Sequence, residues 1–209
     1  ANGNSATIQG YYMGPDQIAD IDQDNRGDVT ARASAQSGGG AVSQTVTASA
    51  NGNSAWMQNE NGYAHIQGEQ DNSGAVSAGA TAEVGNFDID LFAISAEGVG
   101  NSAIISNIGS DAFMGLDQTN TGAVSTLAGF DGEEGGAALV SATSFGNAAT
   151  TYVCSECGAT AYGNTNQTNS AAISATANAR MTTGSTLSGT ATAIGNSATY
   201  QSVSPYGGN

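Results

Sequence analysis

A period of about 48 residues runs through the chain and constrains its fold more than any other feature. The tetrapeptide Gly-Asn-Ser-Ala, or Gly-Asn-Ala-Ala in one copy, starts at Gly3, Gly52, Gly100, Gly146 and Gly195. The steps between copies are 49, 48, 46 and 49 residues. Periods of this length indicate solenoids, propellers or other arrays of one repeated unit. We therefore predict a single repeat domain over residues 1–209, with units 3–51, 52–99, 100–145 and 146–194 and a partial unit 195–209.

A second motif keeps the same period. The pattern Gln-x-Asn-x-Gly-x-Val occupies 23–29, 70–76 and 118–124, and Gln-x-Asn-x-Ala-x-Ile occupies 167–173. Residues around it alternate with period two, which places successive side chains on opposite faces of a β-strand. In the first copy, Gln23, Asn25 and Val29 share one face, whereas the charged residues fall on the other. The pattern predicts an all-β fold.

The composition favours an elongated stack over a thick globular core. The chain has 30 glycines, with 39% hydrophobic but only 6% aromatic residues, so an interior must consist mainly of small side chains. We predict an amyloid-like β-solenoid with about four short strands per unit. The spacing leaves open two rungs of ~24 residues per unit or one large rung.

The inner-face amides are predicted to form structural ladders. A buried amide is costly unless it is paired, and identical residues stacked in parallel strands pair along the stack. The alternative is that these amides lie on a solvated face. The predicted ladder residues are Gln23, Asn25, Gln70, Asn72, Gln118, Asn120, Gln167 and Asn169.

Each Gly-Asn pair is predicted to form a tight turn, because glycine and asparagine tolerate the positive φ that a corner requires. The predicted turn residues are Gly3, Asn4, Gly52, Asn53, Gly100, Asn101, Gly146, Asn147, Gly195 and Asn196.

Charge and hydropathy exclude two classes of partner. The formal net charge is -15 and the chain has no lysine, which repels nucleic acid and anionic lipid. The apolar runs are far shorter than the ~20 residues of a membrane helix, so no membrane insertion is expected. The chain starts at Ala1 without an initiator methionine or a signal sequence, and we expect a processed, secreted chain. Whether Ala1 is a natural processing site is left open.

The two motifs carry a family resemblance. Alternating Gln-x-Asn-x-Gly with Gly-x-Asn-x-Ala is similar to the repeat of curlins, the secreted bacterial amyloid subunits, although curlin repeats are about half as long. The combination over units near 48 residues more closely resembles the holdfast anchor protein D family of stalked alphaproteobacteria. That resemblance implies an extracellular or cell-surface location, export through a curli-type outer-membrane channel and a role in attaching an adhesive polysaccharide holdfast.

The cysteines, the clustered aspartates and the histidine are other candidate sites, and each has a structural interpretation. Cys154 and Cys157 are predicted to form a local disulfide, because the chain has no second Cys-x-x-Cys for a metal site. Asp20, Asp22 and Asp24 are weak calcium candidates, against the alternative of a solvated acidic face. No other metal or cofactor is expected. His65, the single histidine, has no repeating catalytic partner, so the sequence predicts that the protein is not an enzyme.

The sequence-level hypothesis is a structural subunit of an extracellular fibre or anchoring assembly that polymerises head to tail. The first and last copies of the tetrapeptide both resemble interior rungs, which would leave strand edges for another copy. The alternative is a monomeric β-solenoid adhesin or an ice-binding module. Serines and Glu97 interrupt the outward threonine columns that an ice-binding face requires.

Overall fold

The fold is built from β-strands. The computed structural model describes residues 1–10, 14–38, 44–155 and 158–204, without the side chains of 86–90. Within these ranges the chain forms no helix, which confirms the all-β prediction. The strands are β1 Asn2–Gln9, β2 Gln17–Asn25, β3 Val29–Ser37, β4 Gln44–Glu60, β5 Ala64–Asn72, β6 Val76–Ile108, β7 Ala112–Asn120, β8 Val124–Cys154, β9 Ala161–Gly163, β10 Asn166–Asn169 and β11 Ile173–Val203.

The strands form two parallel sheets. The first has the order β1-β4-β6-β8-β11, with β3 also paired to β6, and the second has the order β10-β7-β5-β2, with β9 also paired to β7. Each strand pairs with the strand one period away, so that Asn25 lies beside Asn72 and Val76 beside Val124. Equivalent residues of successive units therefore stack in columns.

The buried side chains form two separate hydrophobic cores between facing strands. The first core packs β3 and its equivalents, including Val29 and Val76, against the first half of β4 and its equivalents, including Val46 and Ile94. The second core packs β2, β5 and β7 against the later half of β4 and its equivalents, with Ile66 and Met57 among its members. Alanine fills much of both cores, as the composition indicates.

The prediction that the Gly-Asn pairs form turns is wrong. All five pairs lie inside strands, namely Gly3 and Asn4 in β1, Gly52 and Asn53 in β4, Gly100 and Asn101 in β6, Gly146 and Asn147 in β8, and Gly195 and Asn196 in β11. Positive φ among the described glycines occurs only at Gly68, Gly109 and Gly158. Strands that continue through a pair are accordingly long, since β6 spans 33 residues and β8 and β11 span 31 each. The strands β2, β3, β5 and β7 are short, at 9 residues each.

Each pair lies instead where the burial pattern of a strand shifts by one residue. The strand buries one of its faces before the pair and the opposite face after it. In β4 the buried residues are Val46, Ala48 and Ala50 before the pair, and Ala55 and Met57 after it. The first three belong to the first core and the last two to the second. One continuous strand thus contributes to both cores.

The glycine is required by close packing. A Cβ on Gly52 would lie 2.4 Å from Asn72 Oδ1 and 2.5 Å from the carbonyl oxygen of Gly100. Real Cβ atoms do not approach other atoms this closely, so any larger residue would push the strands apart. The same contacts recur at Gly3, Gly100 and Gly146.

None of the described residues belongs to a helix long and apolar enough to cross a membrane.

Candidate functional site: three amide ladders

The glutamines of the second motif form a hydrogen-bonded column. Gln70 donates from Nε2 to Gln23 Oε1, Gln118 donates to Gln70, and Gln167 donates to Gln118, each at 2.7 Å. Each Nε2 also donates to a backbone carbonyl of the facing strand, such as Ser102 for Gln70 at 3.0 Å. Gln70 is fully buried, and these bonds offset the cost of burying its amide.

The asparagines of the same motif form a second column with the opposite donor direction. Asn25 donates from Nδ2 to Asn72 Oδ1, Asn72 donates to Asn120, and Asn120 donates to Asn169, each at 2.7 Å. Each Nδ2 group also donates its second hydrogen to the backbone carbonyl two residues further along the chain, as Asn72 does to Gly74 at 3.0 Å. The column therefore also holds the turn inside each motif, such as residues 26–28 between β2 and β3.

A third column consists of the asparagines that were predicted to lie in turns. Asn53 donates to Asn101 Oδ1 and Asn101 to Asn147, both at 2.8 Å, and the edge members Asn4 and Asn196 continue the same pattern. Asn53 also donates to the carbonyl of Asp71 at 2.7 Å, which ties the two sheets together. The sequence carried the signal, since these asparagines recur with the period of the ladder residues.

The donor directions leave complementary groups at the two edges of the stack. At the first-unit edge, the described residues supply no ladder donor to Asn25 Oδ1 and no ladder acceptor for the second hydrogen of Gln23 Nε2. At the fourth-unit edge, no described residue acts as a ladder donor to Gln167 Oε1 or as a ladder acceptor for Asn169 Nδ2. Each group missing at one edge is supplied by the other.

An aromatic column lies on the outer face of the second sheet. Register places Ile18, His65, Phe113 and Tyr162 side by side, one per unit. The His65 and Phe113 rings have centroids 4.9 Å apart, and those of Phe113 and Tyr162 are 5.2 Å apart. Ile18 and Tyr162 are exposed. The sequence did not reveal this column, because its members share no residue type.

Two titratable groups at this column are perturbed. Partial burial against Tyr63 and Phe113 lowers the pKa of His65, although the carboxylate of Asp20 opposes the shift. Burial and a hydrogen bond with the Tyr162 hydroxyl raise the pKa of Tyr63 to about 12. Both side chains are thus neutral near pH 7, and the column is an uncharged strip bordered by carboxylates.

The remaining predicted sites do not converge on a chemical centre. Asp20, Asp22 and Asp24 are exposed on the outer side of β2, and Asp24 accepts a hydrogen bond from Arg26 Nε at 2.8 Å. No group of three histidine, cysteine or acidic side chains is arranged to hold a metal ion in the described ranges. Cys154 is half-buried at the end of β8, whereas Cys157 lies outside the described residues, so the disulfide remains a prediction.

The comparisons with known proteins identify the family. No curated protein matches the chain, and no solved structure matches it. The sequence profile described as holdfast attachment protein D matches residues 1–125, which is more than half of the 209 residues. This family has a holdfast-related adhesion role at the cell surface or outside the cell, and it is not a known enzyme family. The periodic motifs and this match together show that the chain belongs to the holdfast attachment protein D family.

Proposed function

We propose that the protein is a β-solenoid subunit that polymerises end to end into an extracellular fibre anchoring the holdfast. One large rung per unit is supported by the pairing of each strand with the strand 46 to 49 residues away. Such a stack presents unpaired strand edges, which are natural sites for pairing with another chain. In this proposal the unit boundaries are those predicted from the sequence, with one domain over 1–209.

The observation that carries the proposal is the complementarity of the ladder edges. If the fourth unit of one copy stacks in register on the first unit of another, Gln23 Nε2 can donate to Gln167 Oε1. In the same arrangement Asn169 Nδ2 can donate to Asn25 Oδ1. Each contact repeats the 2.7 Å bonds seen inside the chain. A heterologous contact of this kind does not close on itself and therefore propagates into a filament.

Glycines at the edges provide a test that leaves the fold intact. A Cβ on Gly195 would lie 3.5 Å from its nearest neighbour, which is an ordinary contact. A Cβ on Gly146 would instead lie 2.4 Å from the carbonyl oxygen of Gly195. In a filament Gly195 would acquire the same close neighbour from the next copy. Gly195→Ala should therefore fold normally and fail to stack.

The experiment compares the natural chain with Gly195→Ala and with the control Gly79→Ala, whose Cβ would meet no described atom within 4 Å on the outer surface. Electron microscopy scores filaments, and circular dichroism confirms that both variants are folded. We expect filaments from the natural chain and the control only. End-to-end stacking would be refuted if the natural chain forms only discrete particles. It would also be refuted if folded Gly195→Ala forms as many filaments as the control.

A second candidate, a monomeric adhesin, is favoured by the aromatic column. A strip of neutral rings in register, with Asp16 and Asp20 exposed beside it, resembles a binding platform for a neutral or cationic polymer with apolar faces. Phe113→Ala should then abolish adhesion of discrete particles, with Trp56→Ala as a control on the other sheet. The ice-binding alternative gains no support from the columns, since Thr47 stacks on Ser95 and Ser141.

We propose three partners, and the family's holdfast-related adhesion role supports them. Copies of the same chain form the fibre, a curli-type outer-membrane channel exports it, and the adhesive polysaccharide of the holdfast binds it. Secretion and an amyloid-like character belong to the same proposal. The net charge of -15 would oppose lateral clumping of such fibres while allowing growth at their ends.

A further inference from the structure

The first strand occupies the place that end-to-end stacking would give to another copy. β1 pairs with β4 from Asn51 to Gln58. In-register stacking of a second copy would bring residues 195–203 of that copy against the same edge of β4. Both strands cannot lie there together, so assembly in this register requires β1 to leave.

The sequence of β1 matches the strand that would replace it. Residues 3–9 read GNSATIQ and residues 195–201 read GNSATYQ, which are identical at six of seven positions. The copy at 52–58, GNSAWMQ, agrees with β1 at only five positions, as does the copy at 100–106, GNSAIIS. Of the other four copies, β1 is therefore most similar to the one it would exchange with.

The contacts of β1 are also those that the incoming strand would make. Asn4 donates from Nδ2 to Asn53 Oδ1 and to the carbonyl of Asp24, both at 2.9 Å. Inside the chain Asn147 makes the equivalent two bonds, to Asn196 Oδ1 and to the carbonyl of Thr168, both at 2.8 Å. Asn196 itself donates instead to the carbonyl of Gln167 at 3.1 Å. On displacing β1, Asn196 would supply both bonds to the next copy, to Asn53 Oδ1 and to the carbonyl of Asp24.

β1 is held weakly enough to be displaced. None of its eight residues is buried, and seven of them pair with β4, against the 28 pairs between β11 and β8. The neighbouring segment of β4, 44–50, pairs with β6, and no described strand covers its other edge. Residues 187–194 of a second copy can pair there first and then extend along β4.

We infer that β1 is an intramolecular stand-in for residues 195–203 of another copy, and that filament growth proceeds by strand exchange at the edge of β4. This inference rests on the proposed end-to-end assembly. The open segment 44–50 serves as the entry point, and displacement of β1 completes the contact. An isolated chain is thereby protected at part of its edge until a second copy binds.

Two equivalent substitutions separate strand exchange from simple stacking. Asn4→Ala weakens the resident strand, so it should speed elongation by about fivefold, the effect of losing roughly one net hydrogen bond. Asn196→Ala weakens the incoming strand and should slow elongation by a similar factor. If β1 instead served as a stacking strand itself, both substitutions would slow growth. Light scattering and electron microscopy measure the rates.

A disulfide lock gives an independent measurement. In a Cys154→Ser, Cys157→Ser background, Ser5→Cys with Ser54→Cys would join register partners of β1 and β4, whose spacing in adjacent strands suits a disulfide. The control, Ser54→Cys with Ser102→Cys, joins β4 to β6. We expect the oxidised lock to block filaments, reductant to restore them, and the control to assemble in both states.

The outcomes distinguish the two proposals. Failure of the natural chain to form filaments would overturn end-to-end assembly, and strand exchange with it. If the natural chain forms filaments, strand exchange alone would be overturned by equal growth of the oxidised lock and its control. Slower elongation of Asn4→Ala than of the natural chain would overturn it as well.

Discussion

Replacing a ladder asparagine inside the stack tests whether the amide columns hold the fold together. Asn72 is essentially buried and makes three hydrogen bonds, to Asn25, Asn120 and the carbonyl of Gly74. Asn72→Leu keeps a similar size but removes all three. Asn120 Oδ1 and the Gly74 carbonyl each lose an amide donor, and a buried polar group left unpaired costs about 1–3 kcal/mol.

The expected loss is about 4 kcal/mol, a large share of the roughly 5–15 kcal/mol that stabilises a typical domain. For a chain of this size, that loss lowers the melting temperature by about 8–16 °C. The matched control is Asp71→Leu, since Asp71 is exposed on the opposite face of β5, and we expect its effect to stay within about 0.5 kcal/mol.

Thermal and denaturant unfolding measure both variants, scored on protein kept dilute so that self-association does not add to stability. Asn25→Leu should fall between them, because within the described ranges Asn25 has a ladder neighbour on one side only. Equal losses from Asn72→Leu and Asp71→Leu would refute the reasoning, since they would show that the alternation does not separate inside from outside.

Three further predictions concern other positions. Gly100→Ala should destabilise the chain by more than about 2 kcal/mol in urea unfolding, because its Cβ would lie 2.4 Å from a ladder oxygen; an effect no larger than that of Gly195→Ala would contradict this. Thr151→Val should stabilise by about 1 kcal/mol, because the Thr151 hydroxyl is buried without a described partner; a loss in melting temperature would show that the hydroxyl is satisfied. Cys154 and Cys157 should be joined in material purified from outside the cell, as mass spectrometry with and without reductant would show; two free thiols would exclude the bond.

The sequence predicted the fold class and the ladder columns for a physical reason. Strand alternation has period two, and a buried amide in an array is satisfied most simply by its own equivalent in the next unit. The 47-residue step from Gln23 to Gln70 therefore already specified a register. In the structure these two residues pair at 2.7 Å.

The turn prediction for the Gly-Asn pairs is wrong because the same two residue types suit two different structural requirements. Glycine and asparagine tolerate positive φ, but glycine also allows close approach and asparagine also forms ladders. Only the facing strand decides between them, and the alternation pattern does not show which strand faces Gly52. The aromatic column could not be predicted from the sequence for a related reason, since residues stacked on an outer face need not be of the same type.

The ladders do more than satisfy buried amides, because their directions make the stack polar. The glutamine column donates toward the first unit, whereas both asparagine columns donate toward the fourth. Turning one copy over would bring like groups of each column together, Asn25 Oδ1 against Asn25 Oδ1, and leave both unpaired. Each such mismatch costs about 1–3 kcal/mol per buried group. Two columns of one direction and one of the other thus favour head-to-tail over head-to-head contact, even though backbone pairing alone would permit an antiparallel edge. A filament built on these edges would have a single polarity, as an anchor with one end at the cell and the other at the holdfast requires.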